Sequence, residues 1–264
     1  MYSDTSLARA WQIQLRVIGA LLMREIITRY GRDNLGFLWL FVEPMLFTLF
    51  VTALWTATKL AHGSSLPIVA FAVTGYSSVL LWRNCANRCS RAIPPNMGLL
   101  YHRNVRVLDL FIARILLEIG GASISFVVLA TFFTSLGWME PPADVVGVLY
   151  GWLFLAWFGA ALALVIGGLT AYSEVAERLW HPTSYILFPL SGAVFMVDWL
   201  SKDFQRIVLF IPMVNGVEML RGGYFGSAVR THFDVGYLFV VCLVTTLLGL
   251  ALVREAGRRV EMMG

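Results

Sequence analysis

Six long apolar runs, at residues 35–60, 66–82, 107–137, 145–172, 182–200 and 234–253, leave this chain few folds to choose from. At about 1.5 Å of rise per helical residue, each is long enough to cross, or nearly cross, a hydrocarbon core of about 30 Å. Lipid offers no hydrogen bonds, so a spanning backbone must satisfy its own polar groups, and the runs predict helices. Composition agrees. With 58% of 264 residues hydrophobic and 14% charged, the apolar surface exceeds what one soluble core hides. The expected class is all-α, a polytopic membrane protein with six transmembrane helices.

The arginines orient the runs. Arg9, Arg16, Arg24, Arg29 and Arg32 precede the first; Arg83, Arg88, Arg91, Arg103 and Arg106 separate the second from the third. Arg178 follows the fourth, and Arg254, Arg258 and Arg259 follow the sixth. The opposite connections carry only Lys59, Lys202, Arg206, Arg221 and Arg230, so the positive-inside bias puts both termini in the cytoplasm. Before the first run, Leu7, Trp11, Leu15, Ile18, Leu22 and Ile26 recur at steps of three and four with Arg9 and Arg16 opposite. That pattern predicts an amphipathic helix in the membrane surface, over residues 1–33. Between the fifth and sixth runs, residues 204–226 are broken by Pro212, Gly216, Gly222 and Gly223. Their apolar part, 207–220, reads as re-entrant or interfacial helix. No repeat or linker appears, so 1–264 is a single domain: spans one to five over 34–200, the re-entrant segment at 201–232, the sixth span and tail at 233–264. No short apolar core with a small-residue cleavage pattern precedes the first run, so no removable leader is expected.

Several chemistries lack their residues. Nucleotide hydrolysis of the P-loop kind needs a glycine-rich turn ending in Lys and Ser or Thr, and Lys59 and Lys202 sit in no such setting. His62, His102, His181 and His232 have no metal-binding spacing, and no G-x-S-x-G elbow occurs. Cys85, Cys89 and Cys242 read as unpaired structural thiols. Neither metal, cofactor nor catalytic residue is expected on this chain.

Four groups of residues stand out instead. Glu43 lies inside the first run beside Pro44, and Arg114 and Glu118 share a face of the third. A lone charge at such depth costs about 2.5–3.5 kcal/mol, so Glu43, Arg114 and Glu118 are expected to form a buried ionic cluster tying those crossings together. On the fifth run His181, Tyr185, Phe188, Phe195 and Trp199 fall on one side of a helical wheel, and on the first Trp39, Phe47 and Phe50 share the face of Glu43. Such stripes are more often lipid contact or packing than a sugar path. Glu218 and Arg221, three apart, are placed to pair on one turn before Gly222-Gly223 reverses the chain. Two polar connections face the cytoplasm: 84–106, with Asn84, Arg88, Arg91, Pro94-Pro95 and Met97, and 173–181, with Glu174, Glu177 and Arg178.

Two stretches carry a resemblance. Arg24-Glu25, Arg29-Tyr30, Leu35-Gly36, Trp39 and Glu43-Pro44 at the entry, and Pro212 to Glu218 running into Arg221-Gly222-Gly223-Tyr224-Phe225-Gly226, resemble ABC-2 type permeases that export polysaccharides. They fit the capsule-export branch best, and O-antigen export permeases share the motifs. The resemblance implies a bacterial inner-membrane homodimer exporting a lipid-linked polysaccharide, with two copies of a separate ATPase that carries the ATP and Mg. In that family the polar loops dock on the ATPase, here through Asn84, Arg88, Arg91, Met97, Glu174, Glu177 and Arg178. The first and fifth crossings line the canal, here with Trp39, Phe47, Phe50, Tyr185, Phe188, Phe195 and Trp199. Glu218 and Arg221 lie in the helices that shape its periplasmic exit, with a structural cap an equal reading. Arg24, Arg29 and Arg32 would hold the lipid phosphate; ordinary positive-inside topology explains them equally well. Membrane lipids and a periplasmic adaptor are further expected partners, nucleic acid is not. The rival readings are a proton-coupled secondary transporter relaying through Glu43 and Glu118, whose usual repeats are missing here, and a membrane-embedded enzyme, for which no constellation exists.

Overall fold

A computed structural model describes residues 7–30, 39–58, 66–100 and 105–263. Arg32 and the side chains of Arg29, Trp39, Glu43 and Phe47 lie outside the described residues. The described chain is helical, without a strand: α1 (Leu7–Tyr30), α2 (Trp39–Thr58), α3 (Ile68–Cys89), α4 (Met97–Leu100), α5 (Val107–Ser135), α6 (Val145–Tyr172), α7 (Glu174–Leu190), α8 (Lys202–Val208), α9 (Pro212–Phe225) and α10 (Val235–Met263). Among the described residues three helices, α5, α6 and α10, are long and apolar enough to cross a membrane.

Local chemistry sets the boundaries. The Asp109 carboxylate accepts from the Arg106 N–H at 2.9 Å and opens α5. Asp144 accepts from Val146 N at 2.9 Å and opens α6, and Ser173 accepts from Val175 N at 3.2 Å and opens α7. Pro212 takes the first turn of α9, where its missing N–H costs nothing.

Three boundaries depart from expectation, that of α10 among them, since it runs on to Met263, ten residues past Val253. α3 continues seven residues past Trp82, so Asn84 and Arg88 ride on a helix rather than in a loop. α7 starts at Glu174 and stops at Leu190, where Ser191 and then Gly192, at φ +83°, turn the backbone out of the helix. Its 17 residues give about 26 Å, and Phe195 and Trp199 lie beyond its end. The fifth run is therefore a helix plus a turn, and the single aromatic stripe from 181 to 199 does not exist. Residues 202–225 form the two short helices α8 and α9 in the expected place.

α3 and α6 are the packing centre. α3 is buried almost all round from Ala70 to Trp82 by α2, α5, α6 and α9, and α7 also touches it. α6 packs on α3, α9 and α10 through a small-residue face, because lipid gives helices no hydrophobic drive to associate and close backbone approach must supply it. A Cβ on Gly151 would stand 2.5 Å from Leu220 N, and one on Gly159 2.9 Å from the Trp82 Cα. α1 joins this body through Val17, Leu21 and Leu22 against Leu110 and Ala113 of α5, while Trp11 and Leu15 of the expected surface face stay exposed.

Candidate functional site

The arginine-rich ends of α1, α3, α5 and α7 enclose a cavity of about 590 Å³. Five guanidinium groups line it: Arg24 from α1, Arg83 and Arg88 from α3, Arg91 just after it, and Arg114 from α5. Glu25 is the one carboxylate among the described lining residues. The α3 contribution follows from helical spacing, since Arg83, Asn84, Asn87 and Arg88 fall on one face once the helix runs past Trp82.

Three of the five are neutralised from the walls. Arg114 Nε lies 3.0 Å from Glu25 Oε1, Arg88 Nε lies 3.5 Å from Glu118 Oε1, and Arg91 pairs with Glu177 of α7. Arg114 also donates to the Arg88 carbonyl at 2.7 Å. Arg24 and Arg83 have no carboxylate among the described residues. Arg24 donates to Asn96 Oδ1 at 2.6 Å, and Asn96 in turn donates to the Ala92 carbonyl at 2.8 Å. Arg83 lies over the Tyr185 ring, 4.7 Å from its centre, and its buried Nε has no partner among the described residues. His181 Nε2, also on the cavity wall, is buried without a partner as well. A site with surplus guanidinium charge and unfilled donors suits an anion with several acceptor oxygens, a phosphate above all.

The expected residues distribute themselves accordingly. Arg24, Asn84, Arg88, Arg91, Arg114 and Tyr185, reached from four separate lines of reasoning, meet in this one cavity. Arg114 and Glu118 are joined to α1 and α3 through Glu25 and Arg88; the expected link to α2 depends on Glu43, outside the described residues. Met97 opens the short α4 and packs on the cluster around Cys85, Cys89 and Phe111. Glu174 pairs with Arg178 at 3.4 Å on the exposed face of α7. Phe50 is exposed on α2, and Phe188 meets Tyr76 edge-on at 5.6 Å. Trp199 stacks on Phe71 at 5.2 Å. Sequence reasoning did not place Arg83, Glu25 and His181 together as a site. Glu25 follows Arg24 in the motif, and in the sequence Arg83 counts only toward the positive-inside bias, because the hydropathy run stops at Trp82.

At the far end Glu218 and Arg221 do not form the expected ion pair. Each serves backbone groups, and both are buried, at 1% and 0% exposure. Arg221 donates to the carbonyls of Gly192 at 2.7 Å, Ala193 at 2.6 Å and Phe195 at 2.8 Å, and its guanidinium lies 3.7 Å from the centre of the Phe71 ring. Glu218 accepts from Val197 N and His232 N, each at 3.0 Å. Burial pushes its carboxyl above the usual range, against the pull of those two amides and Arg221. The pair holds the turn after α7 and the entry to α10 against α9, which is a structural duty.

Residues 16–225 match the profile of the ABC-2 type transporter family. The capsule polysaccharide export inner-membrane protein CtrC of Neisseria meningitidis is 48% identical over 97% of both chains. The protein BexB of Haemophilus influenzae, with the same description, is 44% identical over 98% of both. The polysialic acid transport protein KpsM of Escherichia coli is 26% identical over 92% of this chain and 95% of its own. With a family match over most of its length and relatives this similar from end to end, the chain belongs to the ABC-2 type transporter family.

Proposed function

We propose that this chain is the permease subunit of an ATP-binding cassette exporter that moves lipid-linked capsular polysaccharide across a bacterial inner membrane, powered by a separate ATPase. The observation that carries this reading is the guanidinium-lined cavity, in a chain that matches capsule export proteins along nearly its whole length. On this reading the arginine-rich end is cytoplasmic, with both termini there. The six crossings are α2, α3, α5, α6, α7 with its following turn, and α10; α8 and α9 are re-entrant on the periplasmic side. Two copies form the canal, and two ATPase subunits, holding ATP and Mg, dock beneath them.

The parts then suggest a sequence of events. The phosphate end of the lipid carrier enters the cavity, where Arg24, Arg83 and His181 offer donors not used by protein carboxylates. The motor pushes on α4 and on the turn at Ser173. Because Arg91 and Glu177 join the segment after α3 to α7, a push on either connection moves both cavity walls. The sugar chain follows its anchor along the exposed aromatic side chains of α2 and α7. An Arg24→Gln/Arg83→Gln double variant tests the assignment. Surface capsule is expected to fall at least tenfold, with polymer retained in the cytoplasm and the permease present at normal level. Undiminished surface capsule overturns the role of the cavity.

A further inference from the structure

A second basic recess lies at the same end of the molecule but between other helices. It holds about 450 Å³ between the start of α5 and the end of α10. Its rim is Arg106, Arg254 and Arg258, and its floor is apolar, with Val107, Leu108 and Leu250 among the lining residues. The sequence explains the juxtaposition: α5 enters its apolar run directly after Arg106, and α10 leaves its own at Val253, directly before Arg254. The change from apolar to basic thus falls at one height on both helices. Gly257 of α10 faces Val107 of α5 and leaves the recess open between them, since even a Cβ there would only reach 3.9 Å.

Charge in this recess is only partly balanced. Arg258 pairs with Glu255 at 3.2 Å, and the Asp109 carboxylate is taken by the Arg106 N–H and by Gln14. Arg254 has no hydrogen bond or ion pair among the described residues. From the recess an apolar track continues along α10, where Leu243, Leu247 and Leu250, at steps of four and three, are all exposed. Little of α10 is covered by its own chain, with 17% of its most apolar window buried.

We infer that this recess is a site for an anionic phospholipid of the surrounding bilayer, its phosphodiester held by Arg254 with Arg106 and Arg258, and one acyl chain lying on the leucine track. Basic recesses between helices at the cytoplasmic face suit such headgroups, and a guanidinium fork fits two phosphate oxygens where a neutral zwitterion would leave its positive group against arginine. The site shares no lining residue with the cavity of the proposed substrate path, so the two stand or fall separately.

The test uses the full chain purified from membranes and placed in nanodiscs of equal phosphatidylglycerol and phosphatidylcholine, with bound lipid read by native mass spectrometry. The wild type is expected to retain phosphatidylglycerol at least tenfold over phosphatidylcholine, and millimolar inorganic phosphate is expected not to displace it. An Arg106→Gln/Arg254→Gln/Arg258→Gln variant is expected to lose that preference. Gly257→Leu keeps every charge but fills the recess, and is expected to lose it too, which separates the site from general charge and from misfolding of the triple variant. Equal retention of the two lipids by the wild type, preference unchanged in Gly257→Leu, or displacement by free phosphate overturns the inference.

Discussion

Arg221 shows how much a single side chain can hold in a fold of this kind. Its guanidinium ties three carbonyls of the turn after α7 to α9 at 2.6–2.8 Å, in a position of zero exposure. The approach is possible because residue 75 is glycine: a Cβ there would stand 2.4 Å from the Ala193 carbonyl oxygen and 2.5 Å from Arg221 Nη2. Replacing Arg221 by Met strands those acceptors and leaves Glu218 buried without its neighbouring cation. The expected cost is about 3–5 kcal/mol. Arg221→Lys keeps the charge but not the fork and is expected to recover less than half of that. Gly75→Ala is expected to destabilise as well, by displacing the same turn. Thermal unfolding of the detergent-purified protein measures all three, and an unchanged midpoint in Arg221→Met removes the structural role argued for it. The spacing of Glu218 and Arg221 marked both residues as important but pointed to the wrong partners. Helical periodicity reports who shares a face, and says nothing of a turn thirty residues earlier folding back onto that face.

At the scale of elements, the ends of helices were harder to read than their middles. Hydropathy locates α5 and α6 well, because their apolar runs and their helices nearly coincide, and it finds the start of α10 but not its end, ten residues past Val253. It cut α3 at Trp82, since arginine and asparagine end an apolar run without ending a helix. It extended α7 through Gly192 to Leu200, since phenylalanine and tryptophan continue an apolar run where the backbone has already turned. The consequence for the site is direct, because the overrun of α3 carries four of the cavity's polar residues. It also brings the segment after α3 within reach of α7, where Arg91 and Glu177 pair with side-chain exposures of 66% and 29%. A pair that exposed is worth about 0.2–1 kcal/mol, so its loss should barely alter stability. If it transmits motion, though, its loss should alter transport. Arg91→Glu is expected to lower export severalfold at unchanged protein level, and Arg91→Glu/Glu177→Arg to restore most of it. Failure of the charge swap to rescue would leave the pair as a passive surface contact.

Across the whole molecule, the single chain leaves one kind of surface unexplained by its own packing. α2 buries Thr48 and Thr52 toward its neighbours and turns Leu46, Phe50 and Leu54 outward at steps of four. α7 buries Trp180 and Ser184 and turns Leu179, Tyr185 and Ile186 outward, Tyr185 at 64% exposure. Both helices touch α3, and α10, which packs on α6, turns its own leucines outward as well. On the proposed function, the canal takes its second wall from another copy. If two copies meet to make it, α2 and α7 should approach their counterparts while α10 stays against lipid. Single cysteines at Phe50 and at Ile186, in a chain freed of Cys85, Cys89 and Cys242, are therefore expected to cross-link two copies in native membranes with a short bifunctional reagent. A cysteine at Leu247 is expected not to. Dimer bands from the Leu247 position alone would place the shared wall on α10, and the aromatic side chains of α2 and α7 would then be lipid contacts.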